Sequence, residues 1–181
     1  YDKIVIVAHP DDELIFYGSK LIKDDMNKVI CLTNATTKRF NEFKGLMQYV
    51  KCGYVIMDHK DDSRIKYIKP EYKEYIYNFL KANHPKMKRI TTHNVIGEYG
   101  HNFHKAISEM VYEICKELNI LHKLYYFSFG KRRLNETLVK MKYALMEMYY
   151  PSQFKVLHKL KIKEFMENET SIQHYKNFQR K

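Results

Sequence analysis

Short apolar runs alternate with amphipathic segments along most of this chain, and this alternation limits the folds that it can adopt. The apolar runs predict five strands, at residues 3–8, 29–33, 54–57, 90–93 and 124–129. Segments with apolar residues at helical spacing predict helices at residues 12–23, 38–51, 71–82, 103–118 and 136–148. Such regular alternation favours parallel strands with right-handed connections. We therefore predict an α/β fold: a Rossmann-like, doubly wound, mostly parallel sheet of about five strands in the order 3-2-1-4-5, with helices on both faces.

In this order strands 1 and 4 are neighbours, and the connections that follow them leave in opposite directions. Open α/β sheets bind ligands in the crevice that this divergence creates at the carboxyl ends of the strands. Residues 9–13 follow strand 1, and residues 93–104 follow strand 4. We expect these two segments, about ninety residues apart in sequence, to form two walls of one site.

The first of these segments begins with His9 and Pro10 and continues with three consecutive acids, Asp11, Asp12 and Glu13. Adjacent carboxylates repel one another unless a cation lies among them. Imidazole and carboxylate together suit a zinc-type ion, and an acid that does not bind the ion is free to act as a general base. His9 and Asp12 are three residues apart at a helix start, so both can turn toward one ion. The alternative is a helix N-terminus whose acids only cap the helix and interact with its dipole.

Composition restricts the class of protein. The chain has 181 residues, 45% of them hydrophobic and 29% charged, which is typical of one globular domain, so we expect residues 1–181 to form a single domain. No apolar run approaches the roughly 20 residues needed to cross a bilayer. The net charge of +11 raises the question of an acidic partner. However, most lysines are scattered singly, which is typical of a solvated surface, so we expect no nucleic-acid partner; steering of an anionic substrate is the alternative.

Three further expectations concern the cysteines and the chain ends. Cys31, Cys52 and Cys115 lie in apolar contexts without C-x-x-C spacing, which predicts core residues in the cytoplasm or another reducing compartment. The chain begins at Tyr1 rather than methionine and enters a strand almost at once, as expected for a segment of a longer polypeptide. Residues 155–181 are predicted to form a helical, basic C-terminal arm.

Two sequence blocks carry a family resemblance. Residues 8–13, AHPDDE, resemble the signature of the PIG-L/LmbE-like N-acetylglucosaminyl deacetylases, which are zinc-dependent amidohydrolases. Residues 97–104, GEYGHNFH, resemble the later G-x-x-G-H-x-x-H block of that family. Weaker similarities are R-x-x-E at residues 39–42 and Y-x-S-Q at residues 150–153. Together these four segments cover roughly residues 3–153, and the two main blocks in this order are specific to the family.

The resemblance implies a complete set of catalytic groups. It adds His104 to His9 and Asp12 as the third metal ligand, with Zn²⁺ or Fe²⁺ as the ion. Asp11 would be the general base that takes a proton from the attacking water, and His101 would stabilise the oxyanion. The implied reaction is hydrolysis of the acetamide of an N-acetylated amino sugar.

Tyr99 matches a tyrosine that donates to the substrate carbonyl in some family members, with simple packing as the alternative. Phe103 stands where many relatives have an aspartate that raises the pKa of the first histidine of this block. The protonation role of His101 is therefore open.

Two residues are predicted to bind the sugar. Arg39 has the fork geometry to clamp a hydroxyl or phosphate, and a salt bridge to Glu42 is the alternative. Asp62 resembles a sugar-binding aspartate of the family, and Asp61 fits equally well because the similarity there is loose by one residue.

The sequence therefore predicts a zinc-dependent hydrolase of carbohydrate metabolism that removes the N-acetyl group from an N-acetylglucosamine-type sugar in a glycan, glycolipid or sugar conjugate. The alternatives are a metal-dependent hydrolase of another amide and a catalytically inactive basic binding module. The aglycone, the native metal and the oligomeric state are not specified by these patterns.

Overall fold

The computed structural model describes residues 1–23, 27–62, 64, 66–155, 157 and 162–174. The strands are β1 Lys3–Val7, β2 Asn27–Thr33, β3 Gly53–His59, β4 Arg89–Thr92, β5 Leu124–Phe129 and β6 Glu169–Gln173. The α-helices are α1 Asp12–Lys23, α2 Arg39–Tyr49, α3 Pro70–Asn83, α4 Gly97–Gly100, α5 Asn102–Glu117, α6 Glu136–Tyr149, α7 Pro151–Phe154 and α8 Ile162–Asn168, with a 3-10 turn at Leu121–Lys123.

These strands form one sheet in the order β3-β2-β1-β4-β5-β6. The pairs among β1 to β5 are parallel, which confirms the predicted doubly wound order. The sixth strand, β6, adds to the outer edge of β5 in antiparallel orientation, with Glu169 opposite Phe129. It was not predicted, because a short polar strand at an edge has no strong apolar pattern.

Successive residues of β1 point to opposite faces of the sheet, and both faces are covered. Val5 and Val7 pack in a core beneath α1, α2, α6 and α8, whereas Ile4 and Ile6 pack in a second core beneath α3 and α5. A strand that is buried on both sides reads as a continuous apolar run, as this one does. The three cysteines are buried and free, as predicted.

The C-terminal region differs from the predicted helical arm. Residues 162–168 are helical as α8, but residues 169–173 extend the sheet as β6, and residues 156, 158–161 and 175–181 lie outside the described part of the chain. Glu169, the first residue of β6, is 7% exposed and forms an ion pair with the buried Lys142 of α6. A strand is favoured here because it brings this buried carboxylate to its lysine partner.

The β1–β4 register places the predicted site at one edge of the sheet. Ile6 lies opposite Thr92, so both strands end at the same height. The backbone N–H of Ala8 donates a hydrogen bond to Nε2 of His93 across the two chain segments, at 3.0 Å. Among the described residues, no helix is long and apolar enough to cross a bilayer.

Candidate metal centre

A tight turn carries the chain from β1 into α1 and directs the acidic residues inward. Asp11 has a φ of 114°, a conformation that L-residues rarely adopt. Its backbone N–H donates to Oε2 of Glu13 at 3.2 Å, and the Tyr150 hydroxyl donates to the other oxygen of Glu13. Glu13 is therefore a buried residue that stabilises the turn. Burial raises the pKa of Glu13 to about 8.

Two histidine nitrogen atoms and one aspartate oxygen atom lie close together beneath this turn. His9 Nδ1 lies 3.3 Å from Asp12 Oδ2, His104 Nε2 lies 3.5 Å from the same oxygen, and the two nitrogens are 3.4 Å apart. These are the three residues predicted as ligands, and the tertiary fold brings them together although His104 is 95 positions from His9. All three are buried.

The triangle fits a small divalent cation. Tetrahedral zinc holds nitrogen and oxygen ligands at about 2.0–2.2 Å, which separates neighbouring ligand atoms by about 3.3–3.5 Å. The observed separations of 3.3, 3.5 and 3.4 Å match this spacing. Two imidazoles and one carboxylate also leave a coordination position for water or substrate.

Electrostatics favour a positive charge at the triangle. Burial alone would lower the pKa of His9, but its hydrogen bonds to Asp12 and Asp61 raise it to about 10. Burial lowers the pKa of His104 to about 4, so its imidazole is neutral. The carboxylates around His9 thus favour a positive charge here, and a metal ion bound at this place would displace a proton from His9.

Behind His104 lies a carboxylate that the sequence analysis missed. Glu98 Oε2 accepts hydrogen bonds from Nδ1 of His104 at 2.7 Å and from Nδ1 of His93 at 2.8 Å. Burial would raise the pKa of Glu98, but its histidine partners lower it to about 2. One sequence feature pointed to Glu98: it is an acid between Gly97 and Gly100 in a histidine-rich block, and the backbone freedom of glycine lets a neighbouring side chain turn inward.

Arg39 is bonded to Asp11 rather than to Glu42. Its Nη2 lies 3.1 Å from Asp11 Oδ2 and also donates to the carbonyl of Pro10. Glu42 instead accepts hydrogen bonds from the backbone and hydroxyl of Ser152, so the alternative Arg39–Glu42 salt bridge is wrong. Burial and the nearby charge of Asp12 raise the pKa of Asp11 to about 7, against the opposing effect of Arg39.

His101 and Tyr99 lie beside the triangle. The ring centroid of His101 is 5.1 Å from that of His9 and 4.5 Å from that of His104. Tyr99 is 38% exposed, and its ring centroid lies 5.5 Å from that of His104. Among the described residues no group bonds Nδ1 of His101, which is buried, and burial lowers the pKa of this histidine. Within the described part of the chain, no other acidic side chain bonds Nδ1 of His101 in place of the aspartate that the family resemblance leads one to expect at position 103.

The two aspartates considered for sugar binding, Asp61 and Asp62, have different partners. Asp61 Oδ1 bonds Nε2 of His9 at 3.0 Å, whereas Asp62 forms an ion pair with Arg64 at 2.8 Å at the surface. Of the two aspartates considered for sugar binding, Asp61 therefore lies at the triangle and Asp62 does not, and the sugar-binding role itself stays a prediction.

Comparison with known proteins agrees with this geometry. A family model described as PIG-L, GlcNAc-PI de-N-acetylase, matches residues 4–115, more than half of the chain. The chain belongs to the PIG-L family. The matched residues include the whole triangle and its Glu98 support. This PIG-L chain is also 35% identical over 176 residues to an uncharacterized protein of Acanthamoeba polyphaga mimivirus, covering 87% of this chain and 74% of that protein.

Two solved structures share the fold of this PIG-L chain at low sequence identity. A deacetylase triple mutant of the teicoplanin biosynthetic pathway has a TM-score of 0.65 at 12% identity, covering 91% of this chain and 88% of that one. The deacetylase of the pseudoaglycone of the antimicrobial reagent A40926 has a TM-score of 0.63 at 15% identity, and the match covers 96% of this chain and 98% of that one. At these identities the likeness supports the fold.

Proposed function

We propose that this chain is a metal-dependent deacetylase that hydrolyses the N-acetyl group of an N-acetylglucosamine-type amino sugar, with Zn²⁺ as the ion and Fe²⁺ as the alternative. The observation that carries the proposal is the buried triangle of His9 Nδ1, Asp12 Oδ2 and His104 Nε2, whose separations suit tetrahedral coordination. The description of the matching family as a GlcNAc-PI de-N-acetylase and the deacetylase activities named for both structural neighbours support the same reaction class.

The reaction would convert an acetamide and one water into a free amine and acetate. When bound, the ion would act as a Lewis acid on the carbonyl and lower the pKa of the attacking water. Asp11 is the proposed base: Arg39 occupies its Oδ2, which leaves Oδ1 to accept the proton of the water. The same carboxyl group then returns this proton to the departing amine nitrogen, and the second proton of the water is released when the acetic acid product ionises to acetate.

Two groups at the rim are placed to stabilise the negative charge on the carbonyl oxygen. His101 packs against both histidines of the triangle and, among the described residues, has no partner on Nδ1; Tyr99 is a partly exposed side chain whose ring lies beside His104. A neutral imidazole and a phenol can each donate one hydrogen bond to an oxyanion. The partly exposed side chain of Arg39 and the half-exposed carboxylate of Asp61 are the proposed contacts to sugar hydroxyl groups.

The first test is metal content together with acetate release. The purified protein would be reconstituted with Zn²⁺ or Fe²⁺, analysed by elemental analysis, and assayed on N-acetylated sugars, sugar conjugates and N-acetylated amines that lack a sugar. We expect close to one equivalent of metal, with acetate released from sugars. Uptake below about half an equivalent would favour a binding module, and turnover of non-sugar amides alone would favour a different amide hydrolase.

The second test is Asp11→Asn, with Asp58→Asn as control, because Asp58 is an exposed aspartate that bonds only Thr36 in the described structure. Loss of the base should lower turnover by about 10²–10⁴-fold while metal content is retained. Near-native turnover of Asp11→Asn would remove Asp11 from this role.

A further inference from the structure

The Glu98 carboxylate receives three N–H groups in the interior of the protein. Oε2 accepts from the Nδ1 atoms of His93 and His104, and Oε1 accepts from the backbone N–H of Asn94 at 2.8 Å. The side chains of the glutamate and of both histidines are fully buried. A buried carboxylate is stable only when such donors replace the water that it has lost.

These contacts assign the tautomers of both histidines. An N–H on Nδ1 leaves Nε2 as an acceptor in a neutral imidazole. His93 agrees with this assignment independently, because its Nε2 accepts the backbone N–H of Ala8 at 3.0 Å. In His104 the same tautomer directs the free lone pair of Nε2 toward Asp12 and His9, which are the other two proposed ligands.

The backbone is strained where it delivers this carboxylate. Glu98 has φ 56° and ψ −72°, and it lies between Gly97 at φ 67° and Gly100 at φ 98°. A non-glycine residue in this region is strained and persists only where surrounding contacts impose the conformation. The same short segment carries Tyr99 and leads into His101, so the bonds of Glu98 also fix the loop that borders the metal centre.

We propose that Glu98 is a positioning residue that holds His104 in the Nδ1–H tautomer with Nε2 ready for the metal, and that His93 is its second anchor. The inference rests on the metal centre proposed above. A partner of this kind fixes the ring orientation of a metal-binding histidine and increases its basicity. Through Glu98, the ligand His104 and the loop with Tyr99 are held by one carboxylate.

The direct test reads the tautomers in the metal-free protein. With ¹⁵N-labelled histidine, two-bond ¹⁵N–¹H correlation spectra distinguish Nδ1–H from Nε2–H at pH values where His104 is neutral. We expect Nδ1–H in both His93 and His104. A proton on Nε2 of His104 in the native protein would overturn the inference without any variant, so the result does not depend on whether a variant folds.

The second test compares zinc affinity, by competition with a chromophoric chelator, in Glu98→Gln and in the control Glu109→Gln. The control makes the same change at an exposed position of α5. A neutral amide cannot accept from all three N–H groups, because its NH₂ is a donor and must face at least one of them. We expect about 10–100-fold weaker zinc binding for Glu98→Gln and no change for the control.

Two results would refute this role. One is zinc affinity of Glu98→Gln within about threefold of the control, well below the 10–100-fold loss expected for such a partner. The other is a native stoichiometry of two zinc ions that falls to one in His93→Ala, which would make Glu98 and His93 ligands of a second ion. A protein that binds neither zinc nor iron would instead overturn the proposed function, whereas the tautomers of the metal-free protein still test the role of Glu98.

Discussion

The ion pair between Lys142 and Glu169 gives the sharpest prediction about stability. The Lys142 side chain is 0% exposed and that of Glu169 is 1% exposed. Lys142 also donates to the carbonyls of Ile15 at 2.9 Å and Phe165 at 3.4 Å. A Cβ at Gly18 would lie only 2.8 Å from Cε of Lys142, so α1 has a glycine where the lysine passes. The pair therefore ties α1, the helix that begins at the metal centre, to α6 and β6.

Lys142→Met keeps most of the side-chain volume but leaves the carboxylate of Glu169 buried without its counter-ion. Breaking a buried pair from one side costs about 3–5 kcal/mol. With a urea m-value of about 1–3 kcal/mol/M, the unfolding midpoint should fall by about 1 M or more. The matched control is Lys140→Met on the same helix, which removes an exposed pair with Glu136 and should cost less than about 1 kcal/mol.

The assay is urea unfolding followed by circular dichroism, extended to a double-mutant cycle. Glu169→Gln in the Lys142→Met background removes the stranded charge and keeps an acceptor for the Ser19 backbone N–H, which now bonds Glu169 at 2.8 Å. We expect the double variant to be more stable than Lys142→Met alone, since the uncompensated charge is gone. A loss below about 1 kcal/mol for Lys142→Met, or two additive single effects, would refute the reasoning, because a buried charge pair must couple.

Three further predictions concern side chains in and around the site. His104→Ala should lower metal content, whereas His101→Ala should mainly lower the rate; elemental analysis beside acetate assays distinguishes them, and unchanged metal in the former would exclude it as a ligand. Asp61→Asn should weaken zinc binding about tenfold because a neutral amide replaces the charged acceptor beside the ligand His9, and Asp62→Asn should not; equal affinities of the two variants in chelator competition would contradict this. Tyr150→Phe should destabilise the fold by about 1–3 kcal/mol in urea unfolding, because the buried carboxyl group of Glu13 loses its hydroxyl donor. A free energy of unfolding unchanged within error would show that water replaces the hydroxyl group.

Much of the site could be predicted from local sequence. His9 and Asp12 are three residues apart at a strand-to-helix turn, so their convergence depends on a few torsion angles. The placement of His104 could be predicted once strands 1 and 4 were taken as neighbours. Glu98 could not, because its role depends on a strained loop that turns the side chain away from solvent, and propensity does not encode that turn. The choice between Asp61 and Asp62 likewise depended on which of two adjacent side chains faces His9.

What the sequence determined by itself is the parallel core: apolar runs at regular intervals specify strands, and amphipathic spacing specifies the helices that cover them. Which polar groups form hydrogen bonds and ion pairs with one another depends on the tertiary structure. It bonded Arg39 to Asp11, set Glu98 behind His104, and added β6 at the edge so that Glu169 reaches a buried lysine. The physical reason is that apolar burial is non-directional and readable from periodicity, whereas hydrogen bonds and ion pairs in the interior depend on distances of a few tenths of an ångström between residues far apart in the chain.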